Sequence, residues 1–336
     1  MKKLLSIIIP VYKVEQYINK CLDSLLLPQE QLLKMEIIIV NDGTPDNSAI
    51  MAKKYADQYP DSFIYVDKEN GGHGSVWNKG VELATGKYLR FLDSDDWLDN
   101  KNLGIFIDFL SSCNADLVFT HRKRVYENSQ TSEIDYIKCN DYGKELLFDE
   151  NECFLLNNSK EIANFWYCTY KTSLLKSVAP LFIHKIMYDD GILMVAPLLL
   201  SSSFICYDMI LYNYLLGRQG QTMDVDVMNK HLSHRLAVQK SMIEFSNNHP
   251  TSSKVISSFV DSVLHTNIKT FTEQICRLPR KERKALMAEW FGFVLKNAKG
   301  QIDNTLLAKY QKFPCLFDLF VGSMNSLRKV KSCIKL

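Results

Sequence analysis

The sequence predicts an α/β fold, a doubly wound and mostly parallel sheet flanked by helices, with a helical region at its C-terminal end. Three observations predict it. Through the first hundred residues, short apolar runs alternate with stretches of helical spacing, joined by short connections. Each run ends in polar residues, as in open sheets whose ligands sit beyond the carboxyl ends of the strands. One of them, Tyr88-Leu89-Arg90-Phe91-Leu92-Asp93-Ser94-Asp95-Asp96-Trp97, passes from a buried-strand pattern to three carboxylates within four residues.

The totals agree with a globular protein of one large or two ordinary domains: 336 residues, 46% hydrophobic, 23% charged. A net charge of +2 gives no general argument for nucleic acid binding. The nine cysteines form no Cys-x-x-Cys pair and suggest reduced, mostly buried thiols. Lys2 and Lys3 precede an apolar run, but Pro10 interrupts it too early for a signal-peptide core. No apolar run approaches the roughly 20 residues that cross a bilayer. The expectation is a soluble, cytoplasmic protein, at most attached to the inner face of the cell membrane.

In chain order, residues 4–12 read as a β-branched first strand and 15–27 as a helix closed by Pro28. Strands follow at 35–40 and 63–66, with helices at 48–59 and 75–84. Asp42 lies just beyond the second strand, where it could accept from a base or ribose, or simply organise the Asp-Gly turn. Gly71-Gly72-His73-Gly74 opens a helix whose backbone N–H groups could face a phosphate. The Asp-x-Asp of the acidic run suits a hard divalent ion shared with phosphate oxygens, Mn2+ or Mg2+, or else caps the next helix.

Taken together, Ile9-Pro10-Val11-Tyr12, Val40-Asn41-Asp42-Gly43-Thr44-Pro45-Asp46-Asn47-Ser48, Asn70-Gly71-Gly72 with Asn78 and Gly80, and Ala84-Thr85-Gly86-Lys87-Tyr88 running into Asp93-Ser94-Asp95-Asp96 resemble the family-2 glycosyltransferases. The resemblance implies a GT-A fold with a Rossmann-like sheet and a nucleotide diphosphate sugar donor. It implies that Pro10, Val11 and Tyr12 line the nucleotide pocket with Gly71, Gly72 and Asn78, that Asp42 meets the base, that Asp93 approaches ribose or metal, and that Asp95 binds the metal. Trp77 departs from the pattern, because the family usually has Arg immediately before the Asn matched to Asn78. An indole cannot replace a bidentate guanidinium in kind. His73 or a distant Arg or Lys would have to take over, or the donor is gripped differently.

Further on, 103–110 reads as an amphipathic helix and 116–119 as a strand. His121-Arg122-Lys123-Arg124 is either a solvated strand end or a contact for an anionic acceptor. The run 165–175 resembles the family's segment bordering the acceptor pocket, so Trp166 and Tyr167 are acceptor-side candidates; Trp166 is either a sugar platform or core. Asp189-Asp190 precedes an apolar helix over 192–200 and resembles the family's Glu-Asp pair, with Asp190 as catalytic base; simple capping of that helix is the alternative. Residues 204–207 and 211–214 read as two strands or an edge hairpin. Arg218 falls in what resembles a mobile segment and could clamp the diphosphate.

Beyond about 222 the composition changes. Helical spacing covers 231–245, 253–275 and 281–296, dividing the chain into 1–222 and 223–336, with His231 and His234 as surface residues. The apolar patch from Phe313 to Val321, followed by Arg328, Lys329, Lys331 and Lys335, suits either a membrane surface or docking on the helices. The expected function is an inverting, metal-dependent transfer from a nucleotide diphosphate sugar, a UDP-sugar, to a glycan, lipid-linked or protein-linked acceptor, with no nucleic acid partner. Its rivals are a nucleotidyltransferase, which would carry a basic glycine-rich loop after the first strand, and a non-catalytic sugar-nucleotide-binding subunit.

Overall fold

The β-branched runs near the N-terminus form strands because their side chains pack on both faces of a pleated surface. A computed structural model describes residues 2–127, 129, 131–162, 164–218 and 231–298. Strands β1 (Leu5–Val11), β2 (Met35–Asn41), β3 (Phe63–Asp67) and β4 (Tyr88–Phe91) pair in parallel, in the order β3-β2-β1-β4. Register aligns Val11 with Asn41 and Asn41 with Asp67, so their polar continuations share one rim. Helices α1 (Ile18–Asp23), α2 (Gln29–Leu32), α3 (Ser48–Gln58) and α4 (His73–Leu83) join these strands.

The first helix is shorter than the periodicity predicts. The chain after β1 is stapled instead to the turn after β2. Thr44 Oγ1 accepts from Lys13 N, Ser48 Oγ from Val14 N, and Asp46 Oδ2 from Glu15 N. Lys13 adopts a left-handed φ of 56° there. The polar run 44–48 therefore shapes the mouth of the sheet rather than simply opening a helix.

The second half of the sheet is mixed, unlike the mostly parallel expectation. Strands β5 (Trp97–Leu98), β6 (Leu117–Tyr126), β7 (Ser132–Asp135), β8 (Glu145–Leu147), β9 (Cys168–Lys171) and β10 (Ser203–Leu216) complete it, with α5 (Asn100–Ser112) between β5 and β6. Strand β9 lies antiparallel between β4 and β6, and β10 runs parallel to β6. The two strands or edge hairpin expected over 204–214 are one long strand, bent by irregular register between Cys206 and Tyr212. Both of its halves find the same partner, β6, so no reversal is needed. The basic cluster lies inside β6, not at its end. His121 is buried, accepts from Ile137 N and faces Asp208, while Arg122 and Arg124 share Asp135. His121, Arg122 and Arg124 thus have acidic partners within the protein, which weighs against the reading of those three as an anionic-acceptor contact.

Short helices α6 (Glu152–Asn157), α7 (Ser159–Ile162), α8 (Thr172–Lys176) and α9 (Ala196–Leu199) follow in the connections. The apolar helix predicted over 192–200 is split into a 3-10 turn, Asp189–Met194, and α9. Pro197, which cannot donate a backbone bond, is tolerated only in the first turn of α9. The long C-terminal helices α10 (Leu232–Asn248), α11 (Lys254–Arg277) and α12 (Arg280–Asn297) appear close to their predicted spans. Helix α10 packs on the 189–194 turn and α11 on α9. No described helix is long and apolar enough to cross a membrane. The C-terminal patch of 313–335 and the segment after Arg218 lie outside the described residues.

A buried carboxylate ties the opposite end of the parallel strands. Glu36 on β2 accepts from Ser6 Oγ, from Thr85 N and Oγ1, and from Gly86 N. A Cβ on Gly86 would stand 2.7 Å from Ser6 N, so only glycine lets this turn approach β1. Glu36→Ala leaves several buried donors unpaired and should lower unfolding free energy by about 3 kcal/mol in urea titrations. A loss under about 1 kcal/mol would show that this knot does not hold the sheet.

Candidate active site

Parallel strands deliver their C-terminal residues to one rim, and the rim opens into a cavity of about 760 Å³, within the usual range for small-molecule sites. Pro10 and Tyr12 line it from β1, Asp42 from β2, Gly72 and His73 from the start of α4, and Asp93 and Asp95 from the end of β4. Phe165, Trp166, Asp189, Asp190, Tyr214 and Arg218 close it.

The three carboxylates after β4 have different fates. Asp93, Asp95 and Asp96 each offer an oxygen within 4.8 Å of the others. Asp96 is buried and fully engaged, accepting from the Tyr212 hydroxyl at 2.6 Å and from Leu215 N at 2.8 Å. It ties β10 to the acidic loop. Burial, then the charges of Asp95 and Asp93, push its carboxyl well above the usual range. Asp95 is also pushed up, by burial and Asp93, against the pull of Arg218, whose Nε lies 2.5 Å from Asp95 Oδ2. Helix α5 has its own cap, Asp99, so capping does not explain the acidic run. Two cavity-facing carboxylates that repel each other are a fitting hard-oxygen donor set for Mn2+ or Mg2+.

Asp42 organises the glycine loop. Its Oδ1 accepts from Gly71 N at 2.9 Å and Lys68 Nζ at 2.6 Å, and its Oδ2 from Gly72 N at 2.9 Å. The N–H groups of Gly71 and Gly72 are therefore spent on a carboxylate, which corrects the expectation that they face a phosphate. Asp42 still borders the cavity, and Oδ2, with one bond, keeps capacity for another donor. Asn78 does not line the cavity: its amide clamps the 181–184 loop through Leu181 N, Phe182 N and Phe182 O. Val11 is buried beneath the rim, and Tyr167 is buried with its ring against Arg122.

On the far side, Tyr188 takes a left-handed φ of 66° just before Asp189 and Asp190, which both line the cavity. Asp189 is buried and bonds His73 Nδ1 at 3.1 Å. His73 Nε2 lies 3.6 Å from Asp93. Burial alone would depress the His73 pKa, but Asp189 and Asp93 outweigh it and hold the imidazole well above its ordinary value. Asp190 lines the cavity with no side-chain partner among the described residues, so neither carboxylate is spent on capping. Burial and the charge of Asp189, opposed by His73, push its carboxyl up to about 6. Trp166 stacks on Tyr214 with centroids 4.5 Å apart, and the Arg122 guanidinium lies 4.6 Å from the Trp166 ring and 5.2 Å from that of Tyr214.

A family model described as glycosyl transferase family 2 matches residues 6–176, slightly more than half of the chain. The chain belongs to glycosyl transferase family 2. It is 30% identical to the minor teichoic acid biosynthesis protein GgaB of Bacillus subtilis (strain 168) over 146 residues, 42% of this chain and 16% of that protein. It is 26% identical to the glycosyltransferase GlyA of Streptococcus pneumoniae serotype 4 over 321 residues, 86% of this chain and 44% of that protein. The chain thus spans less than half the length of either relative. Its GT-A fold is similar to that of S. aureus TarS 1-349 in complex with UDP, with a TM-score of 0.65 and 16% identity over 95% of this chain and 88% of that one.

Against the family-2 pattern, the Trp77 departure has a packing explanation. Trp77 is fully buried, stacked on Phe91 at 4.1 Å and edge-on to Phe165 and Phe182, with the His73 ring 4.1 Å away on the cavity side. Sequence reasoning missed Asp96 as an anchor, Arg122 as the brace of the aromatic wall, and His234, whose Nδ1 accepts from Met187 N beside the Asp189 turn. Only the i,i+3 pairing of His231 with His234 marked that helix face. Trp77→Arg would restore the usual family residue but bury a charge among the rings of Phe91, Phe165 and Phe182. It should cost about 4 kcal/mol or more in denaturant unfolding rather than improve donor binding.

Proposed function

We propose that this chain transfers a sugar from a UDP-sugar to a hydroxyl of a glycan, lipid-linked or protein-linked acceptor, with inversion. The observation that carries the reading is one cavity holding Asp93 and Asp95 together with a proton-avid Asp190 that has no side-chain partner among the described residues. Solved structures of TarS 1-349 with UDP and with UDP-GlcNAc support a uridine donor by similarity of fold. Asp93 and Asp95 would hold Mn2+ or Mg2+, which when bound supplies charge stabilisation for the leaving diphosphate. Pro10 and Tyr12 border the nucleotide and the free capacity of Asp42 Oδ2 meets the base. Arg218, a phosphate-suited side chain, moves from Asp95 to the diphosphate.

Asp190 takes the proton of the acceptor hydroxyl as that oxygen bonds the anomeric carbon and the bond to the diphosphate breaks on the opposite face. A single in-line displacement inverts the centre. Trp166, backed by Tyr214 and Arg122, offers an aromatic face to an acceptor ring.

Thermal unfolding with UDP, GDP and dTDP, with and without Mn2+, tests the donor site. A nucleotide at a hundred times its dissociation constant should add about 2.7 kcal/mol, lost in Asp95→Ala or without metal. No stabilisation by any of the three would sink the reading. Asp190→Asn should keep nucleotide binding and lower kcat by about 10²- to 10⁴-fold. Because the base must be ionised and its carboxyl titrates at about 6, kcat should climb with pH up to that region and level off above it. A flat profile from pH 5 to 8 would rule Asp190 out.

A further inference from the structure

The start of α4 presents a side chain to the site, and the surrounding contacts say what it does. Gly71 and Gly72 give their N–H groups to Asp42, and Gly72 holds φ at 79°, so the chain turns sharply into the helix at His73. The imidazole enters the space between two acidic segments. Nδ1 lies 3.1 and 3.3 Å from the Asp189 oxygens, and Nε2 lies 3.6 Å from Asp93 Oδ1. Its ring rests on the buried Trp77, which leaves it no retreat into the core. A Cβ on Gly74 would come within 2.8 Å of Asp189 Oδ2 and 2.4 Å of Ile183 O, so Asp189 is pressed against the same helical turn. Asp189 has thus been taken out of the cavity's free chemistry, while its neighbour Asp190 has no side-chain partner among the described residues.

We propose that His73 is a positioning residue for the sugar transfer, a strut between Asp93 and Asp189 that fixes where Asp190 meets the acceptor hydroxyl. The inference rests on the reading of Asp190 as base. It assigns the glycine loop the task of presenting a side chain, and it links the donor end of the cavity to the turn that carries the base. Arg218 and Lys185 also face the cavity, but neither is paired with Asp189.

The test uses the whole chain and the UDP-sugar that stabilises wild type, with turnover read as released UDP. His73→Ala should lower kcat by about 10- to 100-fold, as expected for a misplaced reacting group, with donor KM within about threefold and stabilisation by UDP retained. Asn at this position places an amide N–H near that of Nδ1, whereas Gln reaches toward that of Nε2. His73→Asn should therefore recover most of the lost rate and His73→Gln little, provided each melts close to wild type. If His73 acts through Asp189, the His73→Ala/Asp189→Ala double variant should be no slower than the worse single one. Additive losses, a rate unchanged in His73→Ala, or a defect confined to KM would overturn the proposal while leaving the transferase reading intact. A wild type that neither binds nor turns over any UDP-sugar would overturn both.

Discussion

Carboxylates repel, and parallel strand pairing brings several of them to one rim. The compensation of that repulsion organises the molecule. Each acidic side chain at the rim has a different solution. Asp42 is neutralised by Lys68 and two glycine N–H groups, Asp96 by Tyr212 and Leu215 N, Asp95 by Arg218, and Asp189 by His73. Asp190 is left with no side-chain partner among the described residues, and Asp93 has the 3.6 Å approach of His73.

The compensating groups come from distant parts of the chain. Tyr212 reaches Asp96 across 116 residues of sequence, and His73 reaches Asp189 across the same separation. Bonds of this kind knit the parallel half of the sheet to β10 and to the 189–194 turn. The C-terminal helices extend the same logic. His234 accepts from Met187 N, and Val238 packs so closely on Gly191 that a Cβ there would stand 2.7 Å from it. The helical region therefore braces the turn that carries Asp190 and does more than trail behind the sheet.

The aromatic residues divide by the same criterion of which groups need partners. Trp77 is core because Phe91, Phe165 and Phe182 surround it. Trp166 lines the cavity, held there by Tyr214, Arg122 and Phe165. From sequence alone Trp77 was a departure at the family's usual Arg position, and Trp166 was either a sugar platform or core.

Local pattern determined the parallel strands, the spans of α3, α5 and the three long C-terminal helices, and the order of motifs that places the chain in its family. These depend on period, β-branching and turn residues within a few positions of each other. The acidic run, the Asp189-Asp190 pair and the aromatic segment were legible for the same reason. Only the tertiary structure decided that β10 is one strand, that His121, Arg122 and Arg124 pair with acidic residues, that Asn78 holds a loop, and that the Gly71-Gly72 N–H groups serve Asp42. It also decided which carboxylates stay free. Those outcomes turn on hydrogen bonds between residues far apart in the chain, competing for the same few donors, and no local pattern encodes who wins that competition.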